Sequence, residues 1–202
     1  MGKCLILNAS PRAPRSNSKK YAEIFSAKSS FETEYAAITR SNHLQLCERL
    51  PAYSDIVLVF PLYADGIPVT LLNFFKTLEA NPPREKPVVS LIINCGFLEP
   101  AQNDIAVSMV RLFCKQNGYR FGSVLKIGSG EAILDTPFKR MVVSRIRKFA
   151  ASVADGQYRE LQTTMPLSKR LFIRASTRYW VLYGQKNGVS KEEMQTMQIE
   201  NQ

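Results

Sequence analysis

Residues 54–63 read SDIVLVFPLY, and the segment from Ile56 to Phe60 is apolar without interruption. An apolar run of this length predicts a short β-strand that is buried on both faces. Pro61 has no backbone N–H to donate to a neighbouring strand, so we expect the strand to end there. The helical pattern that follows begins at Pro68, a residue that suits the first turn of a helix.

Four further segments are strand-like, and helical patterns separate all five. These strands are predicted at 3–8, 31–38, 86–96 and 123–130. Apolar residues at helical spacing begin at Ser18 and recur at 42–50, 68–80, 101–118 and in a last segment that carries Val142, Ile146, Phe149 and Val153. Such alternation implies parallel strands, right-handed crossovers and helices on both faces of the sheet. The predicted fold is therefore α/β, with a five-stranded parallel sheet.

The pattern changes near residue 157, beyond which only helix is predicted. A helix is expected over 167–185, and Ser190 to Glu193 fit a capping box for a short final helix. We therefore predict two parts, an α/β domain over 1–156 and a helical extension over 157–202 that packs on it. Four large aromatic residues of this extension are expected to pack it onto the domain: Phe172, Tyr179, Trp180 and Tyr183.

Composition is typical of a soluble globular chain. The 202 residues are 45% hydrophobic and 22% charged, and no apolar run approaches the roughly 20 residues that cross a bilayer. The first residues lack the features of a signal peptide, so we expect a cytoplasmic protein. The four cysteines form no C-x-x-C pair and His43 is the single histidine, which disfavours a zinc or iron–sulfur site.

The net charge of +10 is concentrated in one third of the chain. Residues 138–186 hold eleven Lys or Arg and only two Asp or Glu. A field of this kind attracts nucleic acid, an anionic membrane surface or a phosphorylated cofactor. The simpler interpretation, which we favour, is a solvated helix surface, and a nucleic-acid partner is not expected.

Ligands of open parallel sheets bind beyond the carboxyl ends of the strands. The predicted loops at that edge are 8–18, 61–67, 94–100 and 128–136. The first loop, NASPRAPRSNS, gathers hydroxyl, amide and guanidinium donors just before a helix, where unpaired N–H groups favour an anion. It matches neither a P-loop nor a dinucleotide fingerprint, so a monophosphate fits best. An ordinary helix with a serine N-cap is the alternative.

The second loop, FPLYADGIP, offers features that a flat heteroaromatic ligand needs. Tyr63 supplies a stacking partner, prolines stand on either side, and Gly66 allows the backbone to approach a ligand closely.

Together, NASPRAPRSNS and FPLYADGIPVTLLNFFK resemble the NAD(P)H-dependent FMN reductase and quinone reductase group of flavodoxin-like proteins. That group carries a G-S-P-R…S-N-[ST] loop after its first strand and a P-L-Y…[IM]-P segment after its third. The resemblance covers about residues 3–155 and implies a flavodoxin-like sheet with the strand order 2-1-3-4-5. In this chain Ala9 stands in place of the usual glycine, which restricts the turn if that position needs a positive φ.

The resemblance also implies cofactor-binding residues. The FMN phosphate would be held by Ser10, Arg12, Ser16, Asn17 and Ser18, and the isoalloxazine ring would be lined by Pro61, Leu62, Tyr63, Ala64, Asp65, Gly66 and Ile67. A second ring-contacting loop would comprise Asn94, Cys95, Gly96 and Phe97, and the GSGE segment at 128–131 is a weaker candidate. No catalytic side chain is assigned, and His43 is placed in a helix away from this edge.

The activity implied by the resemblance is hydride transfer from NAD(P)H through FMN to a quinone, a flavin or a related small-molecule acceptor, in a protein that is commonly a homodimer. Two alternatives stay open. One is a flavodoxin-like electron carrier, which the charge of +10 disfavours because carriers that meet basic partners tend to be acidic. The other is a scaffold without flavin that uses its basic C-terminal third for binding. Residues 157–202 would then be a lid, a dimer contact or a docking surface.

Overall fold

The computed structural model describes residues 2–13 and 15–196. Its strands are β1 (Lys3–Asn8), β2 (Glu32–Ala37), β3 (Asp55–Pro61), β4 (Val88–Asn94), β5 (Phe121–Ile127) and β6 (Glu160–Thr163). Its α-helices are α1 (Asn17–Lys28), α2 (His43–Arg49), α3 (Val69–Ala80), α4 (Asp104–Gln116), α5 (Lys139–Ala154) and α6 (Lys169–Lys186). The strand that contains Ile56–Phe60 ends at Pro61, as the missing N–H predicts.

All six strands are parallel and lie in the order β2-β1-β3-β4-β5-β6. The α/β class and the order of the first five strands are confirmed. The prediction of five strands is wrong, because β6 pairs with β5 from Val124 opposite Glu160 to Ile127 opposite Thr163. A segment that the sequence assigned to a helical extension therefore forms the edge of the sheet.

Helices cover both faces of the sheet. On one face, Leu58, Phe60 and Leu91 pack with apolar side chains of α2, α3 and α4, including Phe74. On the other, Phe25 of α1 meets Phe149 of α5 edge to face, with ring centroids 5.6 Å apart. The central strands are fully covered, which explains why their sequences are continuous apolar runs.

The chain divides into two compact units, and the boundary lies between Met165 and Pro166. The segment from Glu160 to Thr163 thus belongs with the sheet, although the sequence placed it beyond a boundary at residue 156. The second unit contains α6 and the turn after it, in which Ser190 and Glu193 form the predicted capping box. The helix expected there is a single 3-10 turn, Glu193–Gln195.

Three aromatic residues of α6 are exposed, and their packing onto the domain stays a prediction. Tyr179, Trp180 and Tyr183 are 40–53% exposed. No helix within residues 2–13 and 15–196 is both long enough and apolar enough to cross a membrane. The four cysteines are free and buried.

Candidate functional site

The carboxyl ends of the parallel strands meet at one edge of the sheet. Strand β1 lies between β2 and β3, so the chain order reverses beside β1. Such a switch point opens a crevice above the strands, because the loops on its two sides turn toward opposite faces. The loops after β1, β3, β4 and β5 all leave the sheet at this edge.

Local hydrogen bonds fix the loop after β1. The Ser10 N–H donates to Asn8 Oδ1 (2.9 Å), and the Arg12 N–H donates to Ser10 Oγ (3.3 Å). Ala9 is fully buried and is not among the described non-glycine residues with a positive φ. Alanine in place of glycine therefore imposes no backbone strain at this turn.

Two serines join this loop to α1. Ser16 is the N-cap of the helix, and its Oγ accepts from the Lys19 N–H at 3.2 Å and from Asn8 Nδ2 at 3.4 Å. Ser18 is buried, and its Oγ accepts from Asn94 Nδ2 (3.2 Å) at the end of β4. The helix start is thus tied to the ends of β1 and β4.

Asn17 reaches across to the loop after β5. Its Nδ2 donates to the carbonyl oxygens of Gly130 (3.0 Å) and Glu131 (2.9 Å). A side-chain amide has only two N–H donors, so both are engaged within the protein. Asn17 therefore positions the loop after β5, and in this geometry it has no amide hydrogen left for a ligand.

A cavity of about 470 Å³ opens beside the start of α1. It is lined by Arg12, Arg15, Ser16, Asn17, Lys19, Lys20, Glu23 and Glu131. Four of these residues are cationic, and Arg12 Nη2 lies 3.6 Å from the Glu131 carboxylate. An anion that enters this cavity would meet an excess of positive charge next to the first turn of a helix.

The turn after β3 is a tight hairpin. The N–H and C=O groups of Tyr63 and Gly66 exchange two hydrogen bonds of 3.1 Å, and Ala64 (φ 46°) and Asp65 (φ 57°) are both left-handed. Two consecutive positive φ angles define a type I′ turn, which normally holds Asn and Gly. The strain therefore lies at Ala64 and Asp65, whereas Gly66 has no positive φ.

This turn presents one aromatic side chain to solvent. Tyr63 is 59% exposed, whereas Pro61 and Leu62 are half-buried and Ile67 is buried. The Leu62 N–H donates to the Asn94 carbonyl (2.7 Å), which joins the turn to the end of β4. Within this turn, Tyr63 alone offers a largely exposed aromatic face.

The loop after β4 combines a buried cysteine with an exposed phenylalanine. Burial raises the pKa of the Cys95 thiol, and its Sγ accepts from Asn103 Nδ2 at 3.4 Å. Phe97 is 51% exposed, and a Cβ built on Gly96 would meet no atom within 4 Å. Cys95 is thus an internal residue, whereas the backbone of Gly96 and the ring of Phe97 are accessible.

The GSGE segment after β5 holds the edge together. A Cβ on Gly130 would lie 2.8 Å from Asn94 Cβ, so only glycine allows this approach. The Gly130 carbonyl accepts from the Tyr21 hydroxyl (3.0 Å) as well as from Asn17. Burial is the main cause of a raised Tyr21 pKa, so this phenol stays protonated and keeps donating.

A second cavity, of about 440 Å³, lies on the β2 side of the switch point. It is lined by Pro11, Arg40, His43, Tyr63, Val69, Thr70 and Asn73. The prediction that His43 lies away from this edge is wrong. His43 is the first residue of α2, just after the carboxyl end of β2, and the order of predicted elements already placed that position at the edge.

Four of the sixteen residues predicted to bind the cofactor line these two cavities. Arg12, Ser16 and Asn17 line the first cavity, and Tyr63 lines the second. Asn94, Cys95, Gly96 and Phe97 line neither of them. Sequence reasoning missed Arg15, Lys19 and Lys20 in the first cavity, and Arg40 and His43 in the second, whereas Glu131 of the first cavity belongs to the GSGE segment named as a weaker candidate. The basic residues at 15, 19 and 20 flank the serines in sequence, which is a signal that could have found them.

Comparison of the sequence with models of known protein families gives no match, and comparison with curated proteins gives none. Solved structures do match. An NAD(P)H:quinone oxidoreductase from Methanothermobacter marburgensis has a TM-score of 0.59 at 14% identity, over 76% of this chain and 97% of that one. A flavodoxin from Streptococcus pneumoniae TIGR4 has a TM-score of 0.55 at 15% identity, over 76% and 99%.

A third similar structure is an FMN-dependent NADH-azoreductase from Bacillus anthracis, solved in complex with FMN. Its TM-score is 0.55 at 16% identity, over 76% of this chain and 100% of that one. At such low identities the likeness establishes a flavodoxin-like fold, to which β6 is added at the edge of the sheet.

Proposed function

We propose that the protein is an oxidoreductase that binds FMN and passes hydride from NAD(P)H to a quinone, a flavin or a related small-molecule acceptor. The observation that carries this proposal is the loop between β1 and α1. It stands at the switch point of a flavodoxin-like sheet, and it borders a cavity in which Arg12, Arg15, Lys19 and Lys20 surround the capped start of a helix.

The donors of this loop fit a phosphate dianion. Ser16 Oγ accepts two hydrogen bonds through its lone pairs, which leaves the hydrogen of its hydroxyl group for a phosphate oxygen. Ser10 is buried beside it, and its Oγ likewise keeps a hydrogen to donate. The guanidinium group of Arg12 would exchange the Glu131 carboxylate for the phosphate, with which it forms a stronger, bidentate pair.

The loops after β3 and β4 fit the flat part of the cofactor. Tyr63 and Phe97 are accessible aromatic rings at the ends of adjacent strands, and the backbone at Gly96 is open to close approach. When bound, FMN would supply the hydride chemistry itself, so the protein needs to orient the ring and no side chain is assigned as an acid or base. The strained turn at Ala64 and Asp65 suits such an orienting role.

The similar structures support the same proposal, because they are those of a quinone oxidoreductase, a flavodoxin and an FMN-dependent azoreductase. The net charge of +10 favours a reductase over an acidic electron carrier, because the cavity and the field around it attract phosphorylated ligands.

The test begins with the purified protein. We expect visible flavin absorbance, or its appearance on titration with FMN, and tighter binding of FMN than of riboflavin, which lacks the phosphate. Anaerobic addition of NADH or NADPH should then bleach the flavin band, and a quinone should restore it. Flavin that is bound but not bleached would favour the electron carrier. Failure to bind FMN would favour the third hypothesis, a scaffold without flavin.

A further inference from the structure

Helix α6 combines cationic and apolar residues and contains no carboxylate. Its sequence, KRLFIRASTRYWVLYGQK, holds five Lys or Arg and no Asp or Glu. Seven of its other residues are large apolar or aromatic side chains from Leu171 to Tyr183, beside the smaller Val181. Eighteen residues at 1.5 Å per residue make the helix about 27 Å long.

The arginines and the large apolar side chains occupy different sides of this helix, whereas Lys169 and Lys186, at its two ends, fall within the apolar side. Arg170, Arg174 and Arg178 are spaced four residues apart and so form one row along its length. At 100° per residue, the opposite and wider side collects Leu171, Leu182, Tyr179, Phe172, Tyr183, Trp180 and Ile173. The pattern is a narrow cationic stripe beside a broad apolar one.

The apolar side is open to solvent. Leu171, Ile173, Leu182 and Tyr183 are each 50–53% exposed, and Trp180 is 47% exposed. Tyr179, Trp180 and Tyr183 contact one another, with ring centroids 5.2–6.4 Å apart. Single exposed apolar residues are common on protein surfaces and need no explanation. A contiguous exposed apolar surface, in contrast, marks an interaction site.

We propose that α6 is a surface-binding helix that lies in the headgroup region of an anionic lipid bilayer. The arginine row would pair with lipid phosphates, and the apolar side would enter the acyl boundary, where Trp and Tyr are favoured.

Charge distinguishes this occupant from others. A second copy of α6 would bring no carboxylate to neutralise the arginine row, because residues 169–186 contain none. A nucleic acid would neutralise the arginines but would leave the broad apolar side in water. An anionic bilayer satisfies both sides at once.

Trp180 is the single tryptophan of the chain, so tryptophan fluorescence reports on the surroundings of α6. The full-length protein is mixed with vesicles of phosphatidylglycerol and phosphatidylcholine, and with vesicles of phosphatidylcholine alone. We expect a blue shift of Trp180 emission and co-sedimentation with the anionic vesicles. Binding should weaken as salt rises, because salt screens the arginine row.

Matched variants locate the effect. The triple change Arg170→Gln, Arg174→Gln and Arg178→Gln should weaken anionic-vesicle binding by roughly a hundredfold. The control removes the same charge from exposed positions of α5, through Arg145→Gln, Arg147→Gln and Lys148→Gln, and should change binding little. The pair Leu171→Gln and Leu182→Gln should weaken binding by roughly tenfold or more.

Several results would overturn the proposal. One is wild-type protein that stays in the supernatant with an unshifted Trp180 emission. Another is equal loss of binding in the α5 control, which would assign the effect to net charge alone. A third is a protein that forms a dimer in solution and does not bind vesicles, and that becomes a monomer when Leu171→Gln and Leu182→Gln are introduced. That result would show that a second copy of the chain covers the apolar side of α6. Binding to duplex nucleic acid but not to vesicles would also exclude the bilayer.

Discussion

The hydroxyl groups of Ser10, Ser16 and Ser18 all accept hydrogen bonds within the protein. Serine is favoured just before a helix, both as an N-cap residue and as a donor to a bound anion. The position of these serines could therefore be interpreted from the sequence. It does not predict that Asn17 donates to carbonyls more than a hundred residues away. That partnership exists only because α1 and the loop after β5 meet at the sheet edge, which is a consequence of tertiary structure.

Ser16 has two separable roles, as a helix cap and as a phosphate donor. Ser16→Ala should destabilise the fold by about 1 kcal/mol through loss of the cap. It should also weaken FMN binding by about tenfold, since a hydrogen bond to a charged group contributes roughly 1.5–3 kcal/mol. Ser168→Ala, which removes the N-cap of α6, is the control for cap loss and should leave FMN affinity unchanged. Equal FMN affinity in all three proteins would remove Ser16 from the phosphate site.

Backbone strain in the turn after β3 gives a second prediction at this scale. Ala64→Gly should stabilise the fold by about 1 kcal/mol, because glycine adopts the φ of 46° without a steric penalty. Gly66→Ala is the contrast, since its φ is not positive and its new Cβ would meet Met109 Sδ at 3.3 Å. Chemical denaturation measures both changes. A destabilised Ala64→Gly would show that the turn is not strained in solution.

At the scale of elements, sequence reasoning found β1 and β3 from uninterrupted apolar runs and β2, β4 and β5 from less regular patterns, and the strand that it missed is β6. Residues 160–163 read ELQT, and a four-residue edge strand with exposed side chains lacks such a run. A weak indication of β6 was present in the sequence of β5. Lys126 interrupts an otherwise apolar strand, and its Nζ pairs with Asp104 and Glu160, each at 2.7 Å.

This ion-pair cluster predicts a defined pH dependence. Hydrogen bonding to Lys126 lowers the pKa of Glu160, so its stabilising effect is present above the ordinary carboxyl pKa and is lost as pH falls through the lowered value. Burial lowers the pKa of Lys126, but its hydrogen bonds to Asp104 and Glu160 leave it raised overall. Its contribution is therefore present below the ordinary lysine pKa and is lost only as pH rises through the raised value.

Glu160→Gln should lower stability near pH 7 and reduce the loss of stability between about pH 5 and pH 3. Glu32→Gln, which removes an exposed carboxylate paired with Lys3, is the control and should have little effect. Thermal unfolding followed across this pH range measures both. Parallel pH profiles for wild type and Glu160→Gln would show that the cluster does not hold β6 in place.

At the scale of the whole molecule, the position of the domain boundary decides whether the candidate site is complete. Thr163 accepts the Gly128 N–H through its carbonyl, and Thr164 Oγ1 lies 2.6 Å from the Leu98 carbonyl and 3.0 Å from Ser129 Oγ. These contacts reach the loops after β4 and β5. The sequence placed the boundary at 156 because the alternation of strand and helix ends there and only helical patterns follow, and those patterns did not reveal the short strand at 160–163.

Two truncations therefore have different expected outcomes. A protein ending at Met165 keeps β6 and the Thr164 contacts, so we expect it to fold cooperatively and to bind FMN as the full chain does. A protein ending at Gly156 exposes the edge of β5 and leaves the buried ammonium of Lys126 without Glu160. Lys126 then keeps Asp104 as its partner, so the main loss in the shorter protein is the pairing of β5 with β6, and we expect it to melt at a lower temperature. Circular dichroism melting and FMN titration compare the two, and a shorter protein that matches the longer one in both would return the boundary to 156.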